Sequence, residues 1–268
     1  MQFRYRYGDG AMNLCLDIGN SKIRAAVFRT GRPAADEILH YGQDISPSKL
    51  RAFIRKLAGQ HTIDRAGLIS VSPSLTARVR KAFTELPDIR LKVITCWDLK
   101  AMNIRYRNPG KLGIDRLINA YAAYQLYGGP ALVVDIGTAI TWDAVTAQGG
   151  FLGGAIAPGP GIMAGALTQH TAALPLVKLK KRPRPVGRDT EECIQSGLYW
   201  GTVGMIKELI GRISRDTKLD HRVIFTGGLG SLFAPEFRGC RADELLTLKG
   251  IDRLLTEIEN QKQKTRPL

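Results

Sequence analysis

The segment Leu14-Cys15-Leu16-Asp17-Ile18-Gly19-Asn20-Ser21 returns in the second half of the chain as Leu132-Val133-Val134-Asp135-Ile136-Gly137-Thr138-Ala139. In each copy an apolar run reads as a buried strand, Asp-Ile-Gly as a tight turn, and the stretch after it as a return strand. After the first turn Ile23, Ala25 and Val27 alternate with Lys22, Arg24 and Ala26, and the polar residues Arg29–Arg32 close the unit; after the second the run is Ile140 to Val145. A second echo follows: Leu68-Ile69-Ser70-Val71-Ser72 and Val223-Ile224-Phe225-Thr226-Gly227-Gly228 are both apolar strands that end in small residues. Helical periodicity fills the gaps at Ser48–Leu57, where Leu50, Phe53, Ile54 and Leu57 share a face, and at Leu117–Leu126 and Glu192–Ile213. The pattern predicts an α/β protein of two similar domains, each a mixed sheet flanked by helices. The expected domains are 12–115 and 116–260, with a helix near Pro109–Gly129 bridging the halves, an extension over 1–11 and a basic tail over 261–268.

The bulk numbers set the class. With 268 residues, 44% of them hydrophobic and 24% charged, the chain can bury a sizeable core and has the balance of an ordinary globular protein. The longest apolar stretches, such as Ala131–Asp135 and Gly153–Ala157, fall far short of the ~20 residues a spanning helix needs, so no membrane is expected. Met1–Ala11 carries no apolar signal core, which argues against secretion, and Met12 could be the native start. Cys15, Cys96, Cys193 and Cys240 are widely spaced with no C-x-x-C pair, which argues against a zinc site or a disulfide framework and for reduced thiols in the cytoplasm. The net charge of +15 is partly concentrated in Lys178, Lys180, Lys181, Arg182 and Arg184, a run interrupted by Pro183 and Pro185 that reads as an exposed, extended loop, and in Lys262, Lys264 and Arg266. No helix-turn-helix, zinc finger or RNA-stacking motif accompanies the charge, so no nucleic acid is expected as a partner.

Two Asp-x-Gly turns suit a phosphorylated ligand. Phosphates need close backbone approach, N–H donors and a divalent cation; glycine permits the approach, and an aspartate supplies a hard oxygen for Mg²⁺ or its waters. One such turn is common for conformational reasons alone, whereas a pair at the ends of two buried strands predicts ATP held between two facing turns. Gly149–Gly165, with Ala157-Pro158-Gly159-Pro160-Gly161 as a rigid turn, and Thr226-Gly227-Gly228-Leu229-Gly230 offer more exposed backbone, for packing or for ligand. There is no G-x-x-x-x-G-K-[ST], which excludes a P-loop.

A third motif is Tyr106-Arg107-Asn108-Pro109-Gly110-Lys111-Leu112-Gly113-Ile114-Asp115-Arg116. Pro109 and Gly110 are expected to hold it extended, and Gly113 to turn it into a helix whose first turn carries Asp115 and Arg116. Unpaired N–H donors and the helix dipole favour an anion there. Arg116 adds a planar donor fork, and Asp115 could accept the proton of an attacking hydroxyl or mainly orient it. Taken singly, such a pair is usually a helix-start charge and a surface cation.

Together these motifs resemble the type III pantothenate kinases, a branch of the acetate and sugar kinase/Hsp70/actin (ASKHA) superfamily, from about Met12 to the last helix. The most specific matches are Asp17–Ser21, Pro109 with Leu112–Arg116, Asp135–Thr141, Gly153-Gly154 with Pro158-Gly159, Thr171–Pro175 and Gly187–Thr190. The resemblance implies two actin/hexokinase-like (ribonuclease H-like) domains with the active site in the cleft between them. It implies ATP-dependent phosphorylation of pantothenate at its terminal hydroxyl, the first step of coenzyme A synthesis, with Mg²⁺ and a monovalent cation, K⁺ or NH₄⁺. Asp17, Ile18, Gly19, Asn20, Ser21, Lys22, Ile23 and Arg24 would form the first phosphate loop, and Thr138 would touch ATP. Tyr106, Gly113, Ile114, Asp115 and Arg116 would line the pantothenate pocket, with Asp115 as proton acceptor. Asp135 would bind the monovalent cation, and Thr190 would contact substrate near the interface of a homodimer. One departure stands out: the family's first motif usually ends in Lys where this chain has Arg24, so either Lys22 or Arg24 could reach phosphate. The competing readings are a regulatory accessory protein of the same fold, which the basic charge would suit, and a kinase for another small hydroxy acid or sugar. A chaperone-like ATPase would need a substrate-binding domain after the second half.

Overall fold

The structure, a computed structural model, describes residues 12–19, 21–41, 45–59 and 61–264. The expected extension over 1–11, Asn20 of the first turn and residues 265–268 of the basic tail lie outside the described residues. In chain order the elements are β1 (Met12–Ile18), β2 (Lys22–Arg29), β3 (Arg32–His40), α1 (Pro47–Ala58), β4 (Arg65–Ser70), α2 (Pro73–Phe83), β5 (Arg90–Val93) and α3 (Ile114–Tyr127). Then come β6 (Ala131–Ile136), β7 (Ala139–Val145), β8 (Phe151–Pro158), α4 (Pro160–His170), α5 (Thr190–Thr217), β9 (Arg222–Thr226), the short α6 (Gly230–Phe233), β10 (Arg241–Ala242) and α7 (Leu246–Lys264).

The chain divides into two compact units. The first takes Met1–Met102, Asn108–Ala122 and Leu246–Leu268; the second takes Asn103–Arg107 and Ala123–Leu245. A single cut after Asp115 does not reproduce this division: α7 clusters with the first unit, Asn103–Arg107 with the second, and α3 is shared.

The first unit is built on a five-stranded sheet of order β3-β2-β1-β4-β5. β1 pairs antiparallel with β2 and parallel with β4, and β4 pairs parallel with β5. β2 turns into β3 through Thr30 and Gly31, whose φ of 48° and 80° give the two positive values that a two-residue hairpin turn demands. The central strand β1 is buried along nearly its whole length, while β3, at the edge, alternates between exposed and half-buried residues. α1 and α2 each begin on a Ser-Pro pair: the Ser46 and Ser72 side chains accept from the amides of Lys49 and Leu75, and proline occupies the first helical position, where no N–H is needed. α1 then buries Leu50, Phe53, Ile54 and Leu57.

α7 closes the first unit. Gly67 of β4 leaves room for Ile251, whose Cγ2 would stand 2.6 Å from a Cβ added there. Gly250 likewise lets α7 cross close to α3; a Cβ on it would meet Ile118 Cγ2 at 2.8 Å and Ala122 Cβ at 2.9 Å. The buried Asn13 of β1 donates from Nδ2 to Asp252 Oδ1 (2.7 Å) and Thr256 Oγ1 (3.1 Å), and Thr247 Oγ1 donates to Asn119 Oδ1 of α3 (2.7 Å). Burial, and then the Asp252 carboxylate, push the Cys15 thiol well up, which keeps it a packing residue.

The second unit repeats the plan. Its sheet has the order β10-β9-β6-β7-β8; read from β8 it is the first sheet over again. β6 pairs antiparallel with β7 and parallel with β9, as β1 does with β2 and β4. Trp142, Tyr199, Phe225 and Phe233 fill its core, with Tyr199 stacked on Phe233 at 5.2 Å. Two mixed sheets of one topology, each flanked by helices, are the two similar domains expected from the sequence.

Because α3 and α7 approach without room for a side chain at their crossing, Gly250→Val is expected to lower the unfolding free energy by about 1–3 kcal/mol. Chemical denaturation checks this; a variant as stable as the parent would show that the crossing is loose.

Candidate active site

The two Asp-Ile-Gly turns are local equivalents, each described within its own unit. Asp17 and Asp135 are both the penultimate residue of a buried strand, half-buried between fully buried neighbours. The reason is the strand alternation: the residues on either side point into the core, so the carboxylate is turned the other way. In register Asp17 lies opposite Arg24 and beside Ile69, and Asp135 opposite Thr141 and beside Thr226. Each glycine amide then closes its turn: Gly19 N–H donates to the Lys22 carbonyl at 3.1 Å, and Gly137 N–H to the Ala139 carbonyl at 2.9 Å. Lys22 and Arg24, both half-buried, alternate with the buried Ile23 and Ala25 and share a face of β2, as the sequence pattern predicts.

The second turn is wrapped by glycine backbone. Gly159 donates to the Thr138 carbonyl at 2.9 Å, and a Cβ on it would lie 2.3 Å from the Gly137 oxygen. Gly227, at φ 82°, would carry a Cβ 2.3 Å from Asp135 Oδ1 and 2.6 Å from the Ile136 oxygen. No side chain fits at either place. Thr138 itself is exposed at the tip. The expected rigid turn at 157–161 proves to be the last residues of β8 and the first of α4.

Asp115 and Arg116 fall in the first turn of α3, as expected. Asp115 Oδ1 accepts from the Arg116 amide at 3.0 Å, so the carboxylate itself caps the helix start. A Cβ on Gly113 would sit 2.5 Å from that oxygen, which explains the glycine. Arg116 is only 6% exposed, so it is not a surface cation. The segment before it differs from the expectation: Pro109–Lys111 forms a short 3₁₀ turn rather than an extended stretch. The fixed φ of proline suits a helical turn as well as an extended chain.

Tyr106 belongs to the second unit, whereas Gly113, Ile114, Asp115 and Arg116 belong to the first. A short parallel bridge ties Ile104 to Phe151, and the Tyr106 ring lies edge-on to Phe151 at 6.2 Å. Thr190, exposed, is the first residue of α5. It follows Asp189, whose Oδ1 accepts from Glu192 N–H at 2.8 Å. Thr190 lines an open groove of ≈ 1060 Å³ with Met163, Leu167 and His170 of α4 and Cys193 and Leu198 of α5. The basic run is irregular and largely exposed, as predicted, yet part of it is held: Lys181 pairs with Glu236 at 2.7 Å and Arg182 with Glu192 at 2.8 Å. The Arg188 amide, then the Arg182 side chain, hold the Glu192 carboxyl below its usual range.

Tyr41 is a residue of the first turn that motif reading misses. It directly follows β3; its amide donates to the Ser21 carbonyl at 3.4 Å and its hydroxyl to the Gly19 carbonyl. The nearest sequence signal is its place at the end of a strand that must pair with β2. Among the described residues no group of three or more His, Cys, Asp or Glu side chains could hold a metal ion by itself, and no helix is long and apolar enough to cross a membrane.

Residues 13–212 match the family model described as type III pantothenate kinase. A type III pantothenate kinase of Moorella thermoacetica is 36% identical over 246 residues, covering 90% of this chain and 97% of that one. One from Agathobacter rectalis is 35% identical over 262 residues, covering 94% and 99%. Among solved structures, a Baf family transcriptional activator candidate from Campylobacter jejuni superposes with a TM-score of 0.56 at 22% identity, covering 92% of this chain and 99% of that chain, a likeness of fold.

Proposed function

The chain belongs to the type III pantothenate kinase family, and from that membership we infer that it uses ATP to phosphorylate the terminal hydroxyl of pantothenate, the first step of coenzyme A biosynthesis. The observation that carries the reading furthest is the duplicated strand-Asp-Ile-Gly turn: in both units the glycine amide donates to the carbonyl of the first residue of an antiparallel return strand, the first turn being one residue longer than the second.

Residue roles follow from the local chemistry. The turn Asp17–Arg24 receives phosphate through its backbone and through Lys22 or Arg24, which share a face. The Asp135 turn, with Thr138 exposed at its tip, is assigned to ATP as well. Asp115 accepts or orients the hydroxyl proton of pantothenate; its tie to the Arg116 amide fixes one oxygen. Arg116, buried and always charged, offers a planar fork to an anionic group. Tyr106 and Thr190 are assigned to the acid substrate as well.

Two cations fit the donors present. A divalent ion such as Mg²⁺ keeps several waters and takes one or two carboxylates plus phosphate oxygens, so Asp17 or Asp135 suffices without a protein cage. Bound there, it would neutralise charge on the transferring phosphoryl group. A monovalent cation, K⁺ or NH₄⁺, suits Asp135, because its Oδ1 and the Ile136 carbonyl oxygen both lie close to Gly227 and offer two hard oxygens together.

A cytoplasmic homodimer completes the proposal. In the second unit Ile162 of α4 is 47% exposed and Leu176 71% exposed, and Gly161, Gly165, Gly197, Gly201 and Gly204 of α4 and α5 have no neighbour within 4 Å of the missing Cβ. Thr190 lies on the apolar groove between α4 and α5 with Met163, Leu167, Gly197 and Leu198, and the proposal seats a second copy on these two helices.

Three outcomes are expected. Asp115→Asn should fold and bind ATP, while ADP release with pantothenate falls by about 10²–10⁴-fold; a rate within about twofold of the parent contradicts its role. Turnover should require K⁺ or NH₄⁺, and full rate in a sodium-only buffer would remove Asp135 as a cation ligand. Light scattering should give twice the 29.4 kDa chain mass, and Ile162→Asp should halve it; a monomeric parent contradicts the interface.

A further inference from the structure

We propose that Tyr41 is a positioning residue for nucleotide binding, holding the Asp17–Arg24 turn in its phosphate-receiving shape. This rests on the reading of that turn as the phosphate loop.

The argument begins with what the turn lacks. Gly19 has no side chain to restrict it, and a glycine peptide explores more backbone conformations than any other. Its amide is fixed by the Lys22 carbonyl at 3.1 Å, a bond that does not hold its own carbonyl. The Tyr41 hydroxyl donates to that Gly19 carbonyl and holds it. The Tyr41 amide donates to the Ser21 carbonyl at 3.4 Å, so one residue holds two carbonyls of the turn. In a trans peptide the C=O and the following N–H point opposite ways, so the amide of Lys22 is turned away from Tyr41. Carbonyl oxygens repel phosphate and amides attract it, and holding the carbonyls back is what an anion site requires.

The clamp is itself well founded. β3 pairs with β2 up to Lys22↔His40, so Tyr41 continues an existing ladder. Its ring packs against the first unit's core cluster. Burial, and then the Asp17 carboxylate, push the hydroxyl's ionisation up, so it remains a donor across the working range. Tyr41 touches neither reacting group in this account; it acts through the turn.

Tyr41→Phe keeps the ring and removes the donor. Calorimetric titration with ATP should show a dissociation constant raised about fivefold, the effect of one lost hydrogen bond. The KM for pantothenate should stay within about twofold. Unchanged ATP affinity overturns the proposal. So does an equal loss for both substrates with a lowered melting temperature, or a variant that does not fold, since either assigns Tyr41 to the scaffold. If the parent itself binds no ATP, the phosphate-loop reading fails first, and the parent titration shows it.

Discussion

A carboxylate at the end of a buried strand, followed two residues later by glycine, is the constraint from which the rest of the structure follows. Burial on both faces fixes the strand, the strand alternation turns the aspartate away from the core, and the glycine amide folds the chain straight back. Asp17 and Asp135 satisfy this constraint with the same pairings on both sides. Once it is met, the antiparallel return strand and the parallel neighbour are determined, and with them the strand order that both units share. The turns differ in what surrounds them. Gly159 and Gly227 bring bare backbone against the second turn, whereas Tyr41 brings a hydroxyl to the first.

The helix that carries Asp115 is held from behind rather than by its own cap alone. Asn119, one turn beyond Asp115, accepts from Thr247, and Gly250 lets α7 press against Ile118 and Ala122. α7 is pinned in turn to β1 through Asn13 and to β4 through Gly67. The strand that carries Asp17 and the helix that carries Asp115 in its first turn are thus packed on one common helix within the first unit. Chemistry that needs sub-ångström placement benefits from such support, because small displacements of a reacting group cost rate steeply.

The repeat was legible because strand, aspartate and glycine recur as a string of residues, and Asp115 with Arg116 because a glycine precedes a periodic helix. What escaped the sequence has physical causes. β3 carries no apolar run to mark it, because an edge strand buries little on either face. α4 is hidden by Gly161 and Gly165, which lower helix propensity where the chain is helical all the same. α7 lies last in sequence but clusters with the first unit, an assignment made by packing against Gly67 and Gly250 that no local pattern records. Tyr41 was missed for the same reason: its role comes from strand pairing, not from a motif. The bridge of Ile104 to Phe151, which places Tyr106 in the second unit, likewise has no signature in the intervening residues.

The central claim of the proposal is that the Asp17 turn receives the phosphates of ATP while Asp115, in the same unit, serves the acceptor alcohol. A crystal structure of the protein with a non-hydrolysable ATP analogue and pantothenate tests it directly. The account predicts a triphosphate against the Asp17 turn, with Asp115 within hydrogen-bonding reach of the pantothenate hydroxyl. A nucleotide remote from the Asp17 turn, or an alcohol remote from Asp115, would contradict it.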